Sequence, residues 1–151
     1  MSIDERLAEL EIDLPDAPSP VGSYVPYVES NSMLYISGQI PTIDGKLAYV
    51  GKVPGRVSVK DARNCAKICF LNAISHAKNA LGSLDKIVRI VRMTGYVASS
   101  SGFTDQATVV NGASDFSYEI FGERGKHARL AVGVCELPLG APIELEVILQ
   151  I

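Results

Sequence analysis

The chain contains no tryptophan, two histidines, three cysteines and fewer basic than acidic residues, 14 Lys and Arg against 17 Asp and Glu. Each scarcity excludes something. A net charge of −3 argues against a nucleic-acid groove, which needs clustered Lys and Arg to neutralise phosphates. The one basic run of note, GERGK at 122–126, is short, carries a glutamate and reads as a loop. Apolar runs stay far below the length that spans a bilayer, so no membrane partner is expected. The opening MSIDERLAELEIDL is acidic and amphipathic, unlike a signal peptide, and an odd number of cysteines fits free thiols in a reducing compartment. The expected location is therefore the cytoplasm. Cys65, Cys69 and Cys135 with His76 and His127 make a poor ligand set, and no metal is expected. Phosphate-loop and dinucleotide fingerprints are missing, and nothing near His127 in sequence suggests a Ser-His-Asp arrangement.

What is present is a single domain of 151 residues, 47% hydrophobic, long enough to bury a core. Ser2 followed by Glu5 predicts a capping box, with Leu7 and Leu10 continuing a short helix within residues 1–14. PDAPSPVG, at 15–22, reads as a linker. Residues 24–40 predict two strands around a turn at Ser30-Asn31-Ser32, and 47–53 a weaker strand. The long helix runs from Ser58 to Leu81 and is ended by Gly82, its seam rich in alanine and cysteine, with His76 on a helix face. A strand over 86–98, a polar loop, a second helix over 105–121 and two closing strands over 128–137 and 142–151 complete the chain. The fold class is α+β: a sandwich with helices on one sheet face. Two helices cover only one face of a sheet apolar on both, so the other is expected to bury itself against further copies in a closed homo-oligomer.

The polar residues set among apolar neighbours are the candidates for chemistry. Arg129 alternates with Ala131 and Gly133, whose small side chains leave room beside the guanidinium. A buried arginine needs a partner. Glu144 or Glu146 would form a structural ion pair; a ligand carboxylate would form a bidentate clamp. The pattern alone favours the ion pair, and the register of the last two strands, taken as a hairpin, is not set by sequence. Tyr24, Ser37, Gly38 and Asn111 also stand out, each with an ordinary reading as a strand, turn or helix-surface residue.

The segments VGSYV (21–25), ISGQIP (36–41), VVN (109–111) and the closing pattern from Arg129 through Leu137-Pro138 to Glu144 resemble the Rid family, also called YjgF/YER057c/UK114. The resemblance covers about residues 18–151. It implies a chorismate-mutase-like sandwich of the bacillus type, a mixed sheet with two main helices on one face, assembled as a homotrimer with a cleft at each subunit interface. It also implies cofactor-free hydrolysis of reactive 2-imino and 2-enamino acids to 2-oxo acids and ammonia. Carried over residue by residue, Arg129 holds the substrate carboxylate, Glu144 directs the water and Tyr24 supplies a hydroxyl. Ser37, Gly38, Asn111 (from a neighbouring subunit), the main chain of Ala131, and Arg92 line the pocket. Chorismate mutase shares the fold, but its site needs more cations than this chain offers. A binding protein for small carboxylates and an endoribonuclease are the alternative readings. The chain departs from the deaminase branch at Ala131, where a cysteine is usual. It also has one more residue before the arginine, and lacks the aromatic that follows the asparagine.

Overall fold

The computed structural model describes residues 1–20 and 22–151. Val21, which belongs to the predicted linker and to the VGSYV segment, lies outside the described residues. Helix α1 (Ile3–Glu9) opens with the predicted capping box: the Ser2 hydroxyl accepts from Glu5 N–H while the Glu5 carboxylate accepts from Ser2 N–H. Strands β1 (Tyr27–Ser30) and β2 (Met33–Gln39) form a hairpin whose turn residues, Asn31 and Ser32, both have positive φ (49° and 59°). That is the twist-matched two-residue turn, and asparagine tolerates it well.

Helix α2 (Val59–Leu81) is capped by the Ser58 hydroxyl on Asp61 N–H and stopped by Gly82 at φ 77°. Its small-residue seam (Ala62, Cys65, Ala66, Cys69, Ala73, Ala77) is wholly buried, which lets the helix lie close on the sheet. Burial pushes the Cys65 thiol up to about 12, as befits a packing residue. His76, expected on a helix face, is buried as well, and burial lowers its pKa.

The predicted strand at 47–53 is corrected. Only a two-residue ladder forms, β3 (Thr42–Ile43) with β4 (Lys46–Leu47). Beyond it the chain runs as a loop, with Val53 making an isolated bridge to Ser99. Strand β5 (Arg89–Ala98), helix α3 (Gln106–Phe121), strand β6 (Ala128–Val134) and strand β7 (Ile143–Gln150) follow. A 3-10 turn at Gly122–Gly125 occupies the predicted GERGK loop.

The sheet order is β1-β2-β7-β5-β6. The last two strands are thus not a hairpin. β5 lies between them, parallel to β6 and antiparallel to β7. The reason is the β5–α3–β6 unit: a helix between strands carries the chain back over the sheet and sets β6 parallel beside β5. β7 then takes the remaining edge of β5. α2 packs on β7 and β2, α3 on β5 and β6, both on one face. Between helices and sheet the core centres on Phe70, which meets Phe116 and Phe121 edge-to-face at 6.5 and 6.3 Å. The two helices approach closely at Gly112, where a Cβ would fall 2.2 Å from the Arg63 carbonyl oxygen.

Helix α1 docks on the same side, beside α3. Ile3 and Leu7 join the core, Lys78 pairs with Asp4 at 2.7 Å and Arg6 donates to the Glu119 carbonyl. Among the described residues no helix lies on the opposite sheet face. It presents Val28, Tyr35 and Leu130, all exposed, with half-buried Tyr96, Val132 and Ile148. Among the described residues no helix is long and apolar enough to cross a membrane.

Candidate functional site: two half-sites on opposite sheet faces

Strand register decides where the candidate residues stand. Arg129 pairs with Met93, and Met93 with Val147, all on the face covered by helices. Glu144 pairs with Tyr96, and Tyr96 with Val132, on the open face. Two strand spacings and three residues of offset put the Arg129 and Glu144 backbones roughly 14 Å apart. The ion pair favoured by pattern alone does not form, because β5 intervenes and the side chains leave opposite faces. Among the described residues no acid pairs with Arg129.

Arg129 is half-buried at the sheet edge, under α3. Its Nη1 donates to Asn111 Oδ1 at 2.5 Å and to Ser114 Oγ at 3.2 Å. Asn111 and Ser114 stand three apart on α3 and so share a helix face, which is what brings both to one guanidinium. Ser114 Oγ also meets His127 Nε2 at 2.9 Å, and His127 Nδ1 meets the Gly125 carbonyl at 2.6 Å. Burial, then the charge of Arg129, hold the His127 pKa below its ordinary value against the opposing Gly125 hydrogen bond. These residues line an open cleft of about 690 Å³ with Asp115, Tyr118 and Lys126. Ala131, two residues on, faces the same side and packs on the core.

Ser114 and His127 were not among the candidates read from sequence. A signal did exist: Ser114 lies one helical turn from Asn111, and His127 two residues from Arg129 on extended chain, the spacing that returns a side chain to the same face.

The second group gathers around Glu144, which is half-buried and whose pKa is raised by desolvation. A β-bulge interrupts the β2–β7 ladder between Ile36 and Gln39, placing Ser37 and Gly38 together opposite β7. The carboxylate fills the space that a side chain at 38 would take: a Cβ on Gly38 would lie 2.5 Å from Glu144 Oε1. Ser37 pins the preceding segment, its hydroxyl donating to the Val25 carbonyl at 2.7 Å and its N–H to the Pro26 carbonyl at 2.9 Å. That holds Tyr24, 51% exposed, ahead of β1 rather than inside a strand. Arg92 is exposed on this open face, paired in register with Ile148, and so stands away from Arg129.

The predicted residues therefore divide. Arg129, Asn111 and Ala131 form one half-site under α3; Glu144, Ser37, Gly38 and the Tyr24 segment lie toward the other face, where Arg92 also stands. A substrate a few ångströms long cannot touch Arg129 and Glu144 of the same chain.

Known proteins share this architecture. The chain is 40% identical to Protein TCP17 of Trypanosoma cruzi over 147 residues, 97% of this chain and 92% of that one. The Agrobacterium tumefaciens protein Atu1372 superposes with a TM-score of 0.90 at 41% identity, covering 99% of this chain and 92% of that one. E. coli TdcF, solved with bound serine, gives a TM-score of 0.63 at 27% identity over 90% of this chain and 94% of its own. A family profile described as "YjgF/chorismate mutase-like, putative endoribonuclease" matches residues 4–147. With that match spanning nearly the whole chain, and with Rid and RutC proteins among its relatives, the chain belongs to the YjgF/RutC/Rid family.

Proposed function

We propose that the protein hydrolyses small 2-imino or 2-enamino acids to 2-oxo acids and ammonia, in clefts formed where two copies of the chain meet. The observation that carries this reading is the state of Arg129. Its hydrogen-bond partners are the neutral Asn111 and Ser114, so its charge is left for a ligand carboxylate. The carboxylate ligand class is also supported by TdcF, whose structure holds serine.

In this reading, the open sheet face of one copy receives the α3–β6 edge of the next, so that Glu144, Tyr24, Ser37 and Gly38 of one chain face Arg129, Asn111 and the Ala131 main chain of another. Such burial also covers the exposed Val28, Tyr35 and Leu130. The closed assembly proposed is a homotrimer.

The chemistry asks little of the protein. A protonated imine carbon is already electrophilic. Arg129 fixes the carboxylate and hence the face of the C=N bond that water attacks, a positioning effect of several kcal/mol at best. Glu144 accepts a proton as the water oxygen bonds to carbon, giving a carbinolamine. The same proton passes to the nitrogen; as the C–N bond breaks the hydroxyl gives its own proton to Glu144, leaving the carbonyl of the 2-oxo acid, and ammonia leaves, taking that proton as ammonium. Desolvation raises the Glu144 pKa and so makes it a better proton acceptor than an exposed glutamate. Tyr24 offers a hydroxyl toward the reacting carbon or nitrogen, and no covalent intermediate with the protein is required.

The test is imine hydrolysis with a flavin-dependent amino-acid oxidase generating 2-imino acids in the presence of semicarbazide as trap. Wild type is expected to outcompete the trap while Arg129→Ala and Glu144→Ala do not. Silence of wild type across a broad amino-acid panel would overturn the reading.

One observation favours a second reading, a non-catalytic carboxylate-binding protein: one chain by itself supplies the anion-binding half-site, with its water-directing group on the opposite sheet face. Ammonia release in a single turnover separates the two. The endoribonuclease named in the family description has less support here, since the net charge is −3.

A further inference from the structure

For a neutral His127 the hydrogen bonds beside Arg129 can be oriented from one end of the chain to the other, because both ends are fixed. Arginine only donates, and a backbone carbonyl only accepts. The Gly125 carbonyl, 2.6 Å from His127 Nδ1, requires the proton on Nδ1. Neutral imidazole then presents an unprotonated Nε2, which accepts from Ser114 O–H across 2.9 Å. With its proton committed to His127, Ser114 Oγ turns its lone pairs to Arg129 Nη1 at 3.2 Å. With the ring neutral, every member of the chain has one role.

We infer that Ser114 and His127 are positioning residues for Arg129: they hold one edge of the guanidinium so that the rest is presented, pre-oriented, to the substrate carboxylate. Asn111 Oδ1 shares Nη1 with Ser114, so the fixed edge is the Nη1 edge, leaving Nη2 and Nε for a ligand. A neutral His127 matters twice. A protonated ring would donate to Ser114 and so compete with Arg129 for its lone pairs, and it would put a second cation beside Arg129.

The groups facing His127 fit this assignment. From α3 come Ser114, Asp115 and Tyr118, and from β6 Arg129. Lys126 on the preceding turn is already paired with Glu123 at 2.8 Å, and from β5 Arg89 donates to the Lys126 carbonyl. Asp115, the acid nearest in sequence to Ser114, is paired with Arg63 at 3.3 Å. Burial, the strongest influence, disfavours the imidazolium, and so does the charge of Arg129; the Gly125 hydrogen bond, which ranks between them, opposes both without outweighing them.

The kinetic arm of the test rests on the proposed imine hydrolysis; the spectroscopic arm does not. Long-range ¹H–¹⁵N spectra of the wild type at pH 7.5 should show His127 protonated on Nδ1, and relaxation of Arg129 Nε–H should show an ordered guanidinium. Ser114→Ala and, independently, His127→Phe should mobilise that group, and Ser114→Ala should raise the His127 pKa toward its ordinary value. In steady state Ser114→Ala should raise KM about 3- to 10-fold, as expected for one lost hydrogen bond, with kcat changed less than about twofold. Ser114→Thr, which keeps the hydroxyl, should restore both order and KM. A proton on Nε2 in the wild type, or an Arg129 guanidinium equally ordered in both deletion variants, would overturn the inference. Should the wild type hydrolyse no imine, the functional reading falls while the spectra still decide whether these residues position Arg129.

Discussion

Gly38→Ala is the sharpest perturbation of the water-directing half-site, because it adds one methyl and removes nothing. The new Cβ would lie 2.5 Å from Glu144 Oε1 and 3.1 Å from its Cδ. Ordinary contact between carbon and oxygen requires about 3.3 Å, so the carboxylate must retreat by nearly an ångström. Gly38 is exposed and does not have positive φ, so the backbone accepts alanine. The atom that yields is the end of a flexible side chain, and folding stability should change by less than about 0.5 kcal/mol. Positioning is far less tolerant. A displacement of this size can cost about 10²-fold, and we expect kcat to fall between about 10- and 100-fold. Urea unfolding and the coupled oxidase assay, run on the same preparation, give both numbers. A Gly38→Ala protein hydrolysing imines within threefold of wild type would refute the placement of Glu144 as the water-directing group.

Other outcomes follow from the same geometry. Arg129→Lys keeps the charge but loses the planar fork, and should raise KM by about tenfold or more, read from steady-state kinetics. Because burial raises the Glu144 pKa, activity should fall with an acid limb above the ordinary carboxylate range, and the pH profile of Glu144→Gln should lack it. The stability linkage has the opposite sense: an acid whose folded-state pKa is raised stabilises at pH below its unfolded value near 4.5, and that contribution is lost as pH rises through the folded pKa. Glu144→Gln should therefore melt at a higher temperature than wild type at pH 7 and show no such gain at pH 4. Gly112→Ala forces a Cβ to within 2.2 Å of the Arg63 carbonyl, where rigid backbone must move, and should destabilise the fold by about 1–3 kcal/mol in urea titrations.

The local elements were legible in sequence because their signals are local. Ser58 and Gly82 bound α2, Ser2 and Glu5 cap α1, and Asn31-Ser32 turns the first hairpin, as their side chains and backbone preferences dictate. The family pattern also singled out Arg129, Glu144 and Gly38. Strand order was not legible. β5, β6 and β7 are all apolar runs of similar length, and alternation says which residues share a face but not which strand is the neighbour. Reading β6 and β7 as a hairpin left open an ion pair that the intervening β5 forbids. The Ser114–His127 contact was hidden for a related reason. It joins a helix to the turn before an edge strand, and nothing in either segment alone demands the other.

The central claim, that one site is built from two chains, is tested most directly by subunit complementation. Arg129→Ala and Glu144→Ala, each inactive alone, are unfolded together, refolded in equal amounts, and shown by native mass spectrometry to form mixed assemblies. If each cleft draws its arginine from one copy and its glutamate from the next, random mixing leaves about one cleft in four with both groups intact, since each is present half the time. The account predicts recovery of about a quarter of wild-type activity. Mixed assemblies with no more activity than either parent would contradict it.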